Sequence, residues 1–186
     1  MSKALDLKET WQLLMSVSRL VLVSHVGPDG DTLGSTLGLA RALRQAGKQV
    51  RLLVDDILPA VYQFLPGLDA YEQPKPGEKI DCDLTVVVDA SSKDRMGLRK
   101  NCLSAPILNI DTMCPTPGMR IILLLDDRAA ATGEIMYRML EANGIPVDQE
   151  LATDLYTAIV TDCGFFKYAN TTPRCMRVAA DLVAWG

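Results

Sequence analysis

A short loop that follows an apolar strand contains the only histidine of the chain and two aspartates. The run Val21–Val23 is typical of a buried strand, and two glycines and a proline between positions 27 and 30 break it into a loop. His25, Asp29 and Asp31 lie together in that loop. An imidazole and two carboxylates suit a borderline divalent cation such as Mn²⁺, whereas oxygen ligands alone suit Mg²⁺ or Ca²⁺. The alternative is a polar turn that caps the next helix, with Asp31 or Thr32 as the N-cap.

Two more predicted strands end beside an aspartate. Leu84–Val88 is apolar on both faces and precedes Asp89, and Ile107–Ile110 precedes Asp111. Ligands of parallel α/β sheets bind beyond the carboxyl ends of the strands, so we expect both aspartates beside the first loop. A single aspartate at a strand end is often only a turn or cap residue. Only the meeting of several such residues at one edge therefore indicates a site.

Strand and helix patterns alternate along the chain. The other predicted strand is Gln49–Val54, and residues 72–78 read as a surface loop. The predicted helices are Leu7–Leu20, Thr32–Ala46, Leu58–Leu65, Ala129–Asn143, Asp148–Thr161 and a last helix from the N-cap Thr172 through Pro173 to Val183. This alternation predicts a doubly wound α/β fold, with a mostly parallel sheet, helices on both faces and right-handed crossovers.

Three segments resemble motifs of one enzyme family, the DHH phosphoesterases. HVGPDGDTLGS, from residue 25, resembles the first motif, and TVVVDASSKDRMG, around Asp89, resembles the second. LYTAIVTDCGFFKYANTTPR, around Asp162, resembles the fourth motif and is most similar to the oligoribonuclease and pAp phosphatase (nanoRNase) group. The resemblance runs from about Leu20 to Gly186.

The resemblance implies a site with two metal ions. By this match, one metal is held by His25, Asp29 and Asp89, and the second by Asp31, Asp89 and Asp162, so that Asp89 bridges them. The implied cofactor is Mn²⁺, with Mg²⁺ as the alternative, and the metals would polarise the phosphate and generate a hydroxide. The residues expected to take part in catalysis are His25, Asp29, Asp31, Asp89, Asp111 and Asp162.

The third motif is where this chain departs from the family. The family reads Asp-His-His there, with one histidine on the second metal and the next on the phosphate, whereas this chain reads Asp111-Thr112-Met113. Methionine is not a ligand for a hard or borderline cation, and a threonine hydroxyl is a poor substitute for an imidazole. The resemblance therefore implies a weakened second metal site and impaired activity.

The codons of residues 112–122 offer an explanation. Read one base earlier, they permit His-His-Val-Ser-Asn-Thr-Gly-Tyr-Ala-Asp-Tyr in place of TMCPTPGMRII, and the family-like sequence resumes at Leu123. A missing base near codon 112 and an extra base near codon 122 would produce this change. We then expect the segment to be disordered or to pack poorly, except that Ile121 and Ile122 can form a strand. The competing explanation is natural degeneration into a binding protein.

Three further side chains are candidates for substrate binding. Ser35 lies at the start of the helix after the first loop, with close packing between helix and sheet as the alternative. Arg95 follows the second motif, and its alternative is a surface ion pair with Asp94. Arg174 lies in the first turn of the last helix and is expected to line the site. The candidates for stacking on a base are Phe165, Phe166 and Tyr168, with a place in the core as the alternative.

The composition limits the class of protein. A chain of 186 residues with 48% hydrophobic content can bury one domain. Nineteen basic and twenty-three acidic side chains give a net charge of -4, so an anionic substrate must be attracted locally. Five cysteines without a CxxC pair, and an N-terminus without an apolar signal segment, indicate the cytoplasm. No segment is apolar for long enough to cross a bilayer.

These observations lead to a domain and a function. We expect residues 1–186 to form a single catalytic domain, and we expect the C-terminal substrate-binding domain of the family to be absent, because its glycine-rich, histidine-containing motif is not found. The expected partners are short RNA or a small phosphorylated nucleotide, and one expected assembly is a homodimer. The alternatives are a cyclic-dinucleotide phosphodiesterase of the same superfamily, which would differ in substrate profile, and an inactive binding or structural protein, which would not bind metal.

Overall fold

The computed structural model describes residues 3–75, 78–92, 94, 95, 97, 105–114 and 121–186. Within these ranges the strands are β1 Lys3–Ala4, β2 Arg19–Val23, β3 Gln49–Leu53, β4 Tyr71–Glu72, β5 Leu84–Val88, β6 Ile107–Asp111 and β7 Ile122–Leu125. The helices are α1 Leu7–Met15, α2 Gly30–Gln45, α3 Thr132–Ala142, α4 Gln149–Asp162 and α5 Pro173–Ala184. Short 3-10 turns cover Ala60–Tyr62 and Leu68–Ala70.

The strands form one sheet in the order β1-β7-β6-β5-β2-β3-β4, and every neighbouring pair is parallel. From β2 the chain builds outward through β3 and β4, and from β5 it builds outward in the other direction through β6 and β7. The direction reverses between β2 and β5, which pair with Val23 opposite Val87. The crevice beyond the carboxyl ends of β2 and β5 is therefore the expected ligand site of this fold.

The predicted α/β fold with a mostly parallel sheet is confirmed, and the sheet is entirely parallel in the described residues. Helices were expected on both faces of the sheet, whereas the described helices pack on one face. The predicted helix Leu58–Leu65 is only a 3-10 turn, because Pro59 precedes it in an extended conformation and Pro66 prevents its continuation. The predicted helix Leu7–Leu20 stops at Met15, since the residues from Arg19 onward pair with β3 and β5. The short edge strands β1 and β4 were not predicted.

The described helices all pack against the same face of the sheet, and together they form one hydrophobic cluster. Alternate residues of β2 divide between the two sides: Leu20 and Leu22 join the large cluster that contains buried residues of every helix. Val21 and Val23 face the other way and pack with Ile80 and Cys82 from the connection before β5. No described helix is both long and apolar enough to cross a membrane.

Candidate metal centre

His25 lies just beyond β2 and is only 2% exposed. Its Nδ1 is 2.8 Å from the carbonyl oxygen of Val26, so Nδ1–H donates there and Nε2 faces the site. Nε2 is 3.3 Å from Asp89 Oδ2 and 3.6 Å from Asp29 Oδ1. Burial lowers the pKa of His25, but the two carboxylates outweigh it and raise the pKa to about 9. A buried nitrogen between two carboxylates requires either a proton or a cation.

The first loop and the end of β5 each supply one carboxylate to this cluster. Asp29 is the N-cap of α2, where its Oδ1 accepts a hydrogen bond of 3.1 Å from the Thr32 N–H. Asp89 has a φ of 56°, a left-handed conformation that aspartate tolerates, and its Oδ1 accepts from the Thr132 hydroxyl at 3.3 Å. One ligand atom from each of His25, Asp29 and Asp89 lies within 4.8 Å of the other two. The three residues can therefore share one divalent cation.

Asp31 is buried and binds the N-terminus of α3. Its Oδ2 accepts the Thr132 N–H at 2.7 Å and its Oδ1 accepts the Gly133 N–H at 3.0 Å. Burial, together with the charges of Asp89 and Asp162, raises the pKa of Asp31 well above its usual range. Asp31 is thus close to the other acidic side chains but outside the three-ligand cluster, and its predicted part in a second metal site stays a prediction.

Asp162 is the last residue of α4, and its charge influences Asp31 in the same crevice. Desolvation by the walls of the crevice and the charges of Asp89 and Asp29 raise its pKa to about 6, although the residue is solvent-exposed. The Asn170 side chain holds this helix end, because its Nδ2 donates to the Ala130 carbonyl at 2.9 Å and to the Asp162 carbonyl at 3.2 Å. The predicted convergence of the first loop, Asp89 and Asp162 is consistent with these couplings.

Asp111 ends β6 and is 1% exposed. Burial raises its pKa to about 6, with a further contribution from the charge of Asp89. Its Oδ1 accepts the Met113 N–H at 2.8 Å, and its Oδ2 has no hydrogen-bond partner among the described residues. Thr112 is half-buried, whereas Met113 is 59% exposed. Of the segment predicted to pack poorly, residues 115–120 lie outside the described ranges. Ile122 begins β7, in line with the expectation that this end of the segment can form a strand.

Arg95 lies close to the cluster. Its carbonyl oxygen accepts the Val26 N–H at 2.8 Å, which ties the residues after β5 to the loop after β2. Burial by itself raises the pKa of both Asp29 and Asp111, and the positive charge of Arg95 acts against that effect without cancelling it at Asp111. Arg95 is therefore placed where it can contact an anion bound at the crevice.

The other two candidates for substrate binding have protein partners. Ser35 is fully buried, and its hydroxyl donates to Asp31 at 2.9 Å, which fits the packing alternative better than substrate contact. Arg174 donates to the buried Glu134 and lies 3.1 Å from Asp126. Its role in substrate binding stays a prediction, since its charge is already paired.

Thr132 is a contributor that the sequence analysis missed. The predicted helix began at Ala129, but α3 begins at Thr132, and its N-cap Ala131 supplies no side-chain hydrogen bond. Asp31 satisfies that helix end from a position 101 residues earlier in the chain. Because Ala131 offers no capping side chain, the N-terminus of α3 needs an acceptor from elsewhere, and the local sequence does not show which residue supplies it.

A parallel sheet with a histidine and several carboxylates at its switch point defines the class: an α/β domain with a candidate centre for divalent cations. The N-terminal domain of the DHH family matches residues 19–159, and the chain belongs to this family. The resemblance found in the motifs is thereby confirmed.

Curated relatives cover most of the chain. It is 34% identical over 172 residues to a bifunctional oligoribonuclease and PAP phosphatase from Thermus thermophilus, and 25% identical over 169 residues to the protein of that name from Bacillus subtilis. The matches include 90% and 89% of this chain but only 50% and 53% of the relatives. The chain thus spans about half the length of these relatives.

Solved structures share the fold. An exopolyphosphatase-related protein from Bacteroides fragilis superimposes with a TM-score of 0.88 at 22% identity, over 97% of this chain and 56% of that protein. A putative family II inorganic pyrophosphatase from Methanococcus jannaschii gives a TM-score of 0.69 at 19% identity, over 89% of this chain and 56% of that protein. At these identities the likeness establishes the architecture alone.

Proposed function

We propose that this chain is the metal-dependent catalytic domain of a phosphoesterase that hydrolyses short oligoribonucleotides, the 3′-phosphate of pAp, or both. The observation that carries the proposal is the buried Nε2 of His25 between the carboxylates of Asp29 and Asp89. The substrate class comes from the relatives named oligoribonuclease and PAP phosphatase. Membership of the DHH family supports the reaction class.

The proposed cofactor is Mn²⁺ at two positions. His25, Asp29 and Asp89 would hold the first ion, and the imidazole nitrogen in that set favours Mn²⁺ over Mg²⁺. Asp31, Asp89 and Asp162 would hold the second. When bound, the ions would supply Lewis acidity and a hydroxide for attack on phosphorus.

The side chains around the ions have separate proposed tasks. The Nδ1–H of His25 donates to the Val26 carbonyl and so orients Nε2 toward the metal. Arg95 would bind the phosphate, because the Val26 N–H ties its backbone to the loop of the metal centre and a guanidinium group suits a phosphate. Asp111 remains a proposed acidic member of the site, and Arg174 a more distant candidate for substrate contact. Thr112 and Met113 supply no imidazole, so we propose that the activity of this chain is low.

The proposed setting follows the same reasoning. We place the protein in the cytoplasm, with short RNA or a small phosphorylated nucleotide as its ligand. We keep residues 1–186 as one catalytic domain, and the homodimer stays a prediction.

The test is a calorimetric titration with Mn²⁺ beside turnover of short RNA and pAp. Asp89→Asn should abolish or greatly weaken metal binding, because it removes the shared carboxylate. Asp81→Asn is the matched control, since Asp81 is an exposed carboxylate paired with Arg19 at the start of β2, on the opposite edge of the sheet. Equal Mn²⁺ affinity in both variants would overturn the metal centre.

The same measurements separate the alternatives. Faster hydrolysis of a cyclic dinucleotide than of short RNA and pAp would favour the phosphodiesterase of the same superfamily. Absence of both Mn²⁺ binding and turnover of these substrates would favour the inactive binding or structural homologue.

A further inference from the structure

A groove of about 730 Å³ runs along α4. Its walls come from the 3-10 turn Ala60–Tyr62 and the residues just after it, from α4 and the loop that follows α4, and from the end of α5. The lining residues include Tyr62, Phe64, Tyr156, Thr161, Phe165 and Val183. None of its lining side chains carries a charge. The groove therefore suits a flat apolar group better than a phosphate.

One end of the groove adjoins the metal centre. Tyr62 lines the groove, and burial together with the charge of Asp29 raises the pKa of Tyr62. Gly30 directly follows Asp29, and a Cβ at Gly30 would overlap the hydroxyl of Thr161, the residue before Asp162. The groove therefore begins next to the metal centre, since Thr161 lines the groove and also packs against the residue after Asp29.

Phe165 is an exposed aromatic side chain at the groove. Its φ of 56° lies in the left-handed region, as does the φ of 63° of Phe166. Phe166 packs against the core, whereas Phe165 is 69% exposed. A bulky residue persists in this conformation only where its surroundings impose it, and such strain is concentrated at ligand-binding sites. Phe166 therefore has the core position that the sequence analysis gave as an alternative, whereas Phe165 stays available for stacking on a base.

We infer that this groove binds a nucleobase of the substrate, stacked on Phe165, while the attached phosphate lies at the metal centre. The inference rests on the proposed function and adds a position for the base. Aromatic rings in an uncharged lining match the face of any base, so the expected preference is for nucleotides in general rather than for one sequence. Phosphate binding is left to the metal centre and Arg95, since the groove offers no cation.

The experiment compares the binding of AMP and of ribose 5-phosphate by calorimetry in the presence of Mn²⁺. Phe165→Gly removes the ring and fits the left-handed backbone, so this variant should fold at least as well as the native chain. It should bind AMP about ten-fold more weakly, with no change for ribose 5-phosphate. Phe165→Tyr keeps a ring and should restore AMP binding. Trp185→Ala is the control, because Trp185 is 54% exposed but does not line the groove.

The possible outcomes separate this inference from the proposed function. Unchanged AMP affinity in Phe165→Gly, or no AMP binding to the native chain, would overturn the base site even if short RNA is hydrolysed. A base-dependent gain in affinity without hydrolysis would leave the groove supported and overturn the enzymatic proposal. A change in self-association of Phe165→Gly at constant AMP affinity would show that the groove contacts another protein chain and would overturn the inference.

Discussion

We propose that Asp111 and the two residues after it determine how much of the family's chemistry this chain retains. Asp111 lies at the end of β6 and accepts the Met113 N–H, so the backbone turns at positions 112 and 113. Neither Thr112 nor Met113 offers a ligand that a divalent cation prefers. The carboxylates of the second proposed metal site therefore lack the imidazole that the family provides.

Replacing Thr112→His together with Met113→His should strengthen metal binding. We expect a higher affinity for the second Mn²⁺ ion, because an imidazole replaces a side chain that is a poor ligand. Hydrolysis of a small nitrophenyl phosphodiester should rise with it, and hydrolysis of short RNA should rise less, since RNA requires more substrate contacts. Calorimetry with Mn²⁺ and turnover of both substrates measure this. Equal stoichiometry and equal rates in the two proteins would show that positions 112 and 113 are not part of the site.

At the scale of elements, the contact between α2 and α4 brings Asp29 and Asp162 to the same crevice. Small residues on α2 make the approach close: a Cβ at Gly34 would overlap the Asp154 carbonyl, and a Cβ at Gly38 would lie 2.8 Å from Leu155 Cδ2. The sequence analysis expected such residues to pack against the sheet, but these two glycines face α4 instead. The reason is that α2 lies between β2 and α4 and needs its smallest side chains on the helix-facing side.

Gly34→Ala should therefore destabilise the domain strongly. The added methyl group meets backbone atoms of α4, which cannot move as a side chain would, so we expect a loss of about 3 kcal/mol in the free energy of unfolding. Gly47→Ala is the comparison, because Gly47 follows α2 with a φ of 80° and a methyl group there would meet no other atom within 4 Å. That change should cost only about 1 kcal/mol, for backbone conformation alone. Urea denaturation measures both, and equal losses would mean that the α2–α4 contact yields easily.

At the scale of the whole molecule, stability should depend on pH through Asp154. This residue lies on α4, about two turns before Asp162, and is completely buried. Arg41 Nε is 3.5 Å from its Oδ2, but burial outweighs this attraction and raises the pKa of Asp154 from 3.8 to about 8. Between these two pH values the folded protein keeps a proton that the unfolded chain releases. Raising the pH from about 4 to about 8 therefore lowers the stability of the fold.

Asp154→Asn should remove this dependence. The amide has nearly the same shape and carries no charge, so the variant should be more stable than the native chain at pH 8 to 9, by roughly 1–3 kcal/mol. The difference should shrink as the pH falls toward 4. Thermal unfolding across this range measures it, with the exposed Asp69→Asn as the control for a lost surface charge. A constant difference between native and variant proteins at all pH values would contradict the assignment.

The sequence by itself determined the central part of the fold and pointed to the main candidate metal ligands. Leu84–Val88 is uniformly apolar because both faces of β5 are covered, and such a run is readable without any tertiary information. The positions of His25, Asp29 and Asp89 near strand ends predicted that they meet at one edge of the sheet, and the family resemblance grouped them as candidate ligands of one metal. The first loop and the end of β5 meet because their strands are neighbours in the sheet.

Only the tertiary structure decided how the remaining side chains are used. The start of α3 at Thr132, the burial of Ser35 and the separation of Phe165 from Phe166 depend on contacts between residues far apart in the chain. The short strands β1 and β4 have two residues each, too few for a periodic pattern, and they exist because a neighbouring strand supplies hydrogen bonds. Local sequence specifies which groups can do chemistry, but burial and partners are properties of the packed chain, and these set each group's charge, orientation and access to a ligand.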